Sequence, residues 1–166
     1  MISSFLTKLL TARQASFTEE EIEIFDLNYA MQPMESLVDL QGIVKKPEAM
    51  KEFGRSMSSS FTGHLKKKFS LEEKNVASIW TSIFNISGFG KLEIVRMDGK
   101  GGVVEIKGNN FARIYKMKNG KQKQPVCHVI SGIIEGVFEN VTKRKVSCTE
   151  RSCAARGDVS CIFEVK

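Results

Sequence analysis

Residues 125–165 read PVCHVISGIIEGVFENVTKRKVSCTERSCAARGDVSCIFEV, and the fold class follows from their pattern. Pro125 suits the first turn of a helix, and the run VCHVISGIIEGVFENV has apolar residues at helical spacing. The runs KRKVSCTE and VSCIFEV follow on either side of Gly157-Asp158 and predict the two strands of a hairpin. Gly132 and Gly136 lie about one turn apart, so we expect this helix to pack closely on the sheet.

All four cysteines of the chain lie in this stretch, and the first 126 residues contain none. We expect no secretory signal at the N-terminus, because Lys8 interrupts the apolar run and no basic residue precedes it. Cysteines clustered in a chain without such a signal favour a metal site over a disulfide framework. The predicted helix start and hairpin can bring all of them together: Cys127, Cys148, Cys153 and Cys161.

The pattern leaves the identity of the fourth metal ligand open. Zinc takes about four ligands and prefers sulfur in structural sites, so ligand chemistry alone favours an all-cysteine site. Cys148 and Glu150 share a face of the predicted strand, so either of them can complete the set. Two alternatives need no metal: free cysteines that pack as small apolar side chains, or a redox-active pair, although the chain has no Cys-x-x-Cys motif.

An amphipathic helix is predicted over residues 2–13, where it can dock on the core, on a second subunit or on a membrane surface. Its apolar face consists of Phe5, Leu6, Leu9 and Leu10. The next runs predict a short strand in EIEIFDL, a helix from Pro47 to about Lys68, and a helix that starts with a capping box at Ser70.

Two strands, KLEIVRM and VVEIK, follow and are joined by a hairpin loop at residues 98–102, whereas residues 111–118 are ambiguous. This order predicts one α+β domain over residues 1–166, with helices packed on a largely antiparallel sheet and a zinc-bound hairpin at the C-terminal end. Trp80 and Phe84 lie on one stripe of the helix before these strands, so we expect them in the core or in the wall of a cavity.

Composition and charge exclude several classes of protein. The chain has 166 residues, 42% of them hydrophobic and 27% charged, which is typical of a globular domain. It contains no uninterrupted apolar stretch of about 18 residues, so we expect no membrane span. The formal net charge is +6, but the lysines are dispersed and no nucleic-acid-binding motif accompanies them, so we expect no nucleic-acid partner and a cytoplasmic location.

The C-terminal stretch resembles a known signature. The motifs that carry the resemblance are Pro125-Val126-Cys127-His128, Gly132-x-x-x-Gly136, Val146, Glu150-x-x-Cys153, Arg156-Gly157-Asp158 and Cys161-Ile162-Phe163. Together they resemble the C-terminal signature of the 4-vinyl reductase domain family, also called hydrocarbon-binding domains. In related sensor domains of phenol-responsive activators, a cysteine, a glutamate and two further cysteines hold zinc. The resemblance therefore implies that the zinc ligands are Cys127, Glu150, Cys153 and Cys161, with Cys148 as the spare thiol.

The same resemblance implies a fold, a pocket and an assembly. The family is similar to a group that includes haem nitric-oxide-binding domains and Golgi transport-complex subunits, which often enclose an apolar cavity and often form dimers. It implies that the strand VVEIK lies beside the cavity, with an aliphatic face that suits an apolar or lipid-like ligand and not a phenol. The predicted ligand-binding residues are Trp80, Phe84, Val104, Ile106, Ser131 and Cys148.

The function expected from these observations is small-molecule binding by a sensor or carrier with a structural zinc, in a homodimer. Zinc with four protein ligands has no open position for a substrate, so we expect no enzyme and no catalytic residue. One alternative is an assembly module resembling the Golgi transport-complex subunits. Another is a reductase of a vinyl group in tetrapyrrole synthesis, but the chain has no flavin, nicotinamide or iron–sulfur fingerprint.

Overall fold

The computed structural model describes residues 4–166, with the backbone alone for residues 73 and 74. The chain divides into two compact units, Met1–Pro33 and Met34–Lys166. One domain over residues 1–166 stays a prediction. Each helix of the part that the structure describes is too short or too polar to cross a bilayer.

The first unit is a helix followed by a three-stranded antiparallel meander in the order β1-β2-β3. The run EIEIFDL forms parts of two strands, not one, because Phe25 and Asp26 both adopt positive φ angles, 56° and 62°, and turn the chain. The predicted helix over residues 2–13 forms at 4–11, and residues 2 and 3 lie outside the described part. The elements are α1 (Ser4–Thr11), β1 (Ala15–Phe17), β2 (Ile22–Ile24) and β3 (Leu27–Tyr29).

The second unit packs five helices with a four-stranded antiparallel sheet in the order β4-β5-β7-β6. Its helices are α2 (Met34–Val44), α3 (Pro47–Phe69), α4 (Glu73–Ile86), α5 (Asn110–Asn119) and α6 (His128–Thr142). Its strands are β4 (Lys91–Asp98), β5 (Gly101–Lys107), β6 (Cys148–Ser152) and β7 (Cys161–Val165), with a short 3-10 turn at Ala154–Arg156. The predicted α+β class and the C-terminal hairpin are therefore confirmed.

Local signals explain most of the helix boundaries. Pro47 begins α3 as predicted, and Ser70 ends it in the left-handed conformation with a φ of 50°. Ser70 is therefore not the N-cap of the next helix, as its capping-box pattern predicts, because α4 begins three residues later behind Glu72. The ambiguous segment 111–118 is helical, since the side chain of Asn109 caps α5 by accepting a hydrogen bond from the amide of Ala112.

Helix α6 forms the centre of the second unit, with ten consecutive buried residues from Val129 to Phe138. It packs mainly against α3 and also contacts α4, β6 and β7. A Cβ atom at Gly132 would overlap the backbone oxygen of Lys51, and one at Gly136 would overlap Ser58. The prediction that these glycines pack on the sheet is thus wrong: they allow a close contact between two helices.

Candidate metal centre

Four of the predicted ligands converge at one end of the sheet. Cys127 lies at the N-terminus of α6, Glu150 lies on β6, Cys153 follows β6, and Cys161 begins β7. Their ligand atoms, three sulfurs and one carboxylate oxygen, all lie within 4.8 Å of one another. The set that the family resemblance implies is therefore brought together in the fold.

The register of the β6–β7 hairpin explains why Glu150 and not Cys148 joins this set. Glu150 pairs with Phe163, two residues from Cys161, whereas Cys148 pairs with Val165, four residues from Cys161. Two residues of a strand span about 7 Å and four span about 13 Å. Cys148 therefore lies too far along the sheet to reach the cluster, although it shares a face with Glu150.

Backbone and side-chain hydrogen bonds hold the ligands in place. The amide of Cys127 donates to Oε2 of Glu150 at 2.9 Å, and the amide of Ala154 donates to Sγ of Cys161 at 3.3 Å. Asp158 accepts a hydrogen bond of 2.7 Å from the amide of Cys153, and the guanidinium of Arg156 holds this carboxylate in turn at 2.8 Å. The turn between β6 and β7 is thus fixed by the Arg-Gly-Asp motif.

The dimensions of the cluster fit a tetrahedral zinc ion. The sulfur of Cys127 lies 4.0 Å from the sulfur of Cys153 and 4.0 Å from that of Cys161. Ligands about 2.3 Å from a zinc ion at tetrahedral angles would have sulfurs about 3.8 Å apart. Oε1 of Glu150 is buried and has no hydrogen-bond partner among the described residues, so it is available to a cation. The residues present therefore fit zinc in number, type and spacing.

Burial makes the negative charges of the cluster costly without a cation. Desolvation raises the pKa of Glu150 to about 8, and it also raises the pKa of the Cys127 thiol. Hydrogen bonds from the thiols of Cys127 and Cys161 lower the pKa of Cys153. A divalent cation would compensate the same charges that protons compensate in its absence, so metal binding and proton release are coupled here.

The predicted ligand-binding residues are buried, and most of them share the sheet face of the metal cluster. Ile106 pairs with Cys161 on β7, and Val104 pairs with Phe163, which also faces Glu150. Because paired residues on antiparallel strands point to the same side, these aliphatic side chains continue the face that carries the ligands. The remaining predicted residues are equally buried: Trp80, Phe84, Ser131 and Cys148.

Two contacts link these residues further. The hydroxyl of Ser131 forms a side-chain hydrogen bond with the thiol of Cys148, whose pKa burial raises. The rings of Trp80 and Phe84 lie 5.6 Å apart between centroids, and Phe84 also stacks on Phe89 at 5.2 Å. A role of these residues in ligand binding stays a prediction.

A buried ion cluster next to Cys148 was missed by sequence reasoning. Glu135 on α6 is only 1% exposed, and it receives Nζ of Lys51 at 2.8 Å, Nη2 of Arg55 at 2.5 Å and the amide of Cys148 at 2.7 Å. Burial alone raises its pKa, but these hydrogen bonds outweigh burial and leave the pKa below its ordinary value. The signal in the sequence is a lone acidic residue within the apolar run VISGIIEGVF.

Comparison of solved structures identifies the fold. The phenol-responsive sensory domain of the transcription activator PoxR, solved with phenol, has a TM-score of 0.82 and 15% sequence identity, covering 99% of this chain and 91% of that one. A vinyl-4-reductase family protein from Methanocaldococcus jannaschii has a TM-score of 0.59 and 19% identity, with 83% of each chain covered. At these identities the similarity shows a common fold.

A third structure has a similar arrangement over a smaller part of the molecule. It is the trafficking protein particle complex subunit 3 from Naegleria fowleri, covalently bound to palmitic acid. Its TM-score is 0.52 and its identity 14%, with 80% of this chain and 89% of that chain covered.

Sequence comparison identifies the C-terminal part of the chain. It is 41% identical over 51 residues to the uncharacterized protein MJ0855 of Methanocaldococcus jannaschii, covering 30% of this chain and 22% of that protein. MJ0745 of the same organism is 39% identical over 44 residues, covering 26% and 24%. The chain thus spans less than a quarter of these relatives. Residues 103–166, which include every residue of the metal cluster, match the model of the vinyl-4-reductase (V-4-R) domain, and with them the chain belongs to that domain family.

Proposed function

We propose that this protein is a zinc-stabilised small-molecule-binding module that acts as a sensor or carrier. The observation that carries the proposal is the shared sheet face of the metal ligands and the predicted pocket residues. Ile106 pairs directly with the ligand Cys161, and Val104 pairs with Phe163 opposite the ligand Glu150. A ligand that contacts β5 would therefore lie beside the strand that begins at the metal.

Zinc would have a structural role in this module. With four protein ligands it has no open position for water or substrate, so it would stabilise the fold and not catalyse a reaction. It would join the start of α6 to both strands of the C-terminal hairpin. This junction would hold one end of the pocket wall rigid, or it would transmit ligand occupancy to the end of the chain.

The ligand that we propose is apolar or lipid-like. The β5 side chains that face inward are aliphatic and fully buried, and a phenol hydroxyl left unpaired against them would cost about 1–3 kcal/mol. Two of the similar structures contain small molecules, phenol in one and covalently bound palmitic acid in the other. They support small-molecule binding as a property of this fold, and the inward face of β5 favours the apolar ligand here.

The zinc and the location of the protein are linked in this proposal. A thiolate zinc site requires reduced cysteines, and all four thiols are free and buried. These thiols fit a reducing compartment, so we propose that the protein acts in the cytoplasm. Its expected partners are the apolar ligand and a second copy of the chain.

Native mass spectrometry of the protein purified from cells, followed by calorimetric titration, tests the proposal. We expect one zinc ion per chain and micromolar or tighter binding of medium-chain apolar compounds, with little heat from phenol. Tight phenol binding would refute the pocket chemistry. If neither ligand binds and Ile106→Ala strongly destabilises the protein, Val104 and Ile106 are only core residues, and the assembly alternative becomes the better account.

A further inference from the structure

We propose that the side chain of Asn109 is a positioning residue of the metal centre that donates a hydrogen bond to the thiolate of Cys127 and strengthens metal binding. This inference rests on the proposed zinc site. Asn109 is not a ligand, and it belongs to none of the motifs that predict the site. It is only 2% exposed, although asparagine is seldom buried without a reason.

The position of Asn109 follows from the turn between β5 and α5. Gly108 adopts a positive φ of 60°, which ends the strand and directs the next residue inward. Asn109 then caps α5, with its Oδ1 accepting a hydrogen bond of 3.1 Å from the amide of Ala112. Its Nδ2 lies 3.5 Å from the sulfur of Cys127.

The cap also fixes the orientation of the carboxamide. The amide of Ala112 can only donate, so the oxygen of the Asn109 side chain must face it, and the NH2 group must face the sulfur. The hydrogen bond to Cys127 is therefore set by a second contact that is independent of the metal. One side chain joins the end of the predicted pocket strand, the start of α5 and a proposed metal ligand.

A donor at this place has a clear electrostatic use. Three thiolates and a carboxylate around a divalent cation leave a net negative charge in a buried site, and N–H groups that point at the sulfurs spread this charge. The amide of Ala154 serves Cys161 in this way, and the amide of Cys127 serves Glu150. Those two donors are backbone groups, whereas Asn109 can be changed by substitution.

The competing explanation is that Asn109 only caps α5, and substitutions separate the two roles. Asn109→Asp has nearly the same shape and keeps a good cap, but it loses the donor and brings a negative charge to the thiolates. Asn109→Ser keeps a neutral cap and is too short to reach the sulfur. If capping is the whole role, both variants behave like the wild type. If the donor matters, both bind metal more weakly, and the aspartate variant is the weaker of the two.

Asn110→Asp is the matched control for the added charge. Asn110 is the next residue of the same helix start, and its Nδ2 donates to the backbone oxygen of Gly88 at 2.7 Å instead of to a sulfur. The control therefore makes the same chemical change at the same helix end without removing a donor to Cys127. We expect its metal affinity to stay within about threefold of the wild type.

The experiment measures zinc affinity by competition with a chromophoric chelator, together with the absorption spectrum of the cobalt-substituted protein. We expect Asn109→Asp to lower zinc affinity by about 10-fold or more and to shift the thiolate-to-cobalt charge-transfer band, with a smaller loss in Asn109→Ser. Wild-type affinity and an unchanged band in both variants would overturn the inference while leaving the metal site intact. A wild-type protein that takes up neither zinc nor cobalt would overturn the proposed site and the inference together.

Should Asn109→Asp fail to fold, Asn109→Ser carries the same test, since it preserves the cap without adding charge. A serine variant that folds and binds zinc as tightly as the wild type would then refute the role of the donor. A serine variant that folds with weakened zinc binding and a shifted cobalt band would support it.

Discussion

Cys148 and Glu150 are two residues apart on β6, and the hairpin register gives them different surroundings. Glu150 reaches the cluster of three sulfurs, whereas Cys148 hydrogen-bonds Ser131 and lies opposite Val165. Residue spacing alone leaves both as candidate ligands, because both side chains leave the strand on the same side. Only the family signature distinguishes them in the sequence, since the register depends on a turn whose geometry spacing does not define.

Substitutions at two cysteines test this difference. We expect Cys161→Ser to lose most of its zinc, because a serine hydroxyl is a much poorer zinc ligand than a thiolate. Cys148→Ser should keep about one zinc ion per chain and serves as the matched control, being the same change in the same hairpin. Zinc content is measured by elemental analysis of the purified variants. Loss of metal in Cys148→Ser together with its retention in Glu150→Gln would favour an all-cysteine site.

The buried carboxylate of Glu135 gives a second test at single-residue scale. Glu135→Gln keeps an acceptor for the amide of Cys148 but leaves Lys51 and Arg55 without a charged partner. Because both bases still reach solvent, we expect a loss of roughly 2 kcal/mol of unfolding free energy, less than for a fully buried pair. The control is Glu52→Gln, which removes an exposed partner of the same Arg55 and should cost under about 0.5 kcal/mol. Equal losses in urea denaturation would contradict this prediction.

The same carboxylate predicts a pH dependence. The pKa of Glu135 is lowered in the folded protein, so its stabilising contribution is present above the unfolded pKa of about 4.3 and is lost as the pH falls through the folded value. The difference in unfolding free energy between the wild type and Glu135→Gln should therefore shrink below about pH 4. A difference that is constant from pH 7 to pH 3 would show that the charge of Glu135 is not the cause.

Helix α6 shows how far sequence patterns reach at the scale of elements. Its apolar run predicts a helix, and the helix forms, with Cys127 as its N-cap. The pattern does not reveal the neighbour of its glycines, because an apolar face is equally suited to a sheet or to another helix. The start of α4 was predicted too early for a related reason: Ser70 fits a capping box, but the end of α3 already uses it.

Glycine substitutions test the helix contact. We expect Gly132→Ala to destabilise the protein by about 3 kcal/mol or more, because the added methyl group would overlap the backbone oxygen of Lys51 on α3. Gly63→Ala on the exposed side of α3 is the control, since its Cβ would meet open space. That control should be neutral or more stable by up to about 1 kcal/mol. Thermal or urea unfolding of both variants measures the contrast, and an unaffected Gly132→Ala would disprove the close contact.

At the scale of the whole molecule, the proposed metal joins parts of the chain that are distant in sequence. Cys127 and Cys161 are separated by 34 residues, and a cation between them would close this loop as a cross-link does. Sequence analysis predicts the fold class and the ligand set but not the ion cluster of Glu135. Its partners lie 80 or more residues away, so no local pattern marks them.

Removal of the metal should therefore destabilise the fold. We expect a strong chelator, or a pH low enough to protonate the thiolates, to lower the melting temperature by roughly 10 °C, because metal binding and folding share one free energy. Zinc should restore the melting temperature and magnesium should not, since magnesium prefers oxygen ligands. An unchanged melting temperature in a sample shown to be free of metal would exclude a structural role for zinc.

Self-association is the last property predicted at this scale. The predicted apolar face of the N-terminal helix is only partly covered: Leu9 is buried, Phe5 and Leu6 are half-buried, and Leu10 is 44% exposed. We expect the wild type to sediment as a dimer at about tens of micromolar, as the family resemblance implies, and Leu10→Glu to shift it toward the monomer, because a charge in an apolar interface is costly. Thr7→Glu adds the same charge at an exposed position of α1 and should remain dimeric. A wild type that sediments as a monomer in this range contradicts the dimer, and a dimeric Leu10→Glu would move the interface away from α1.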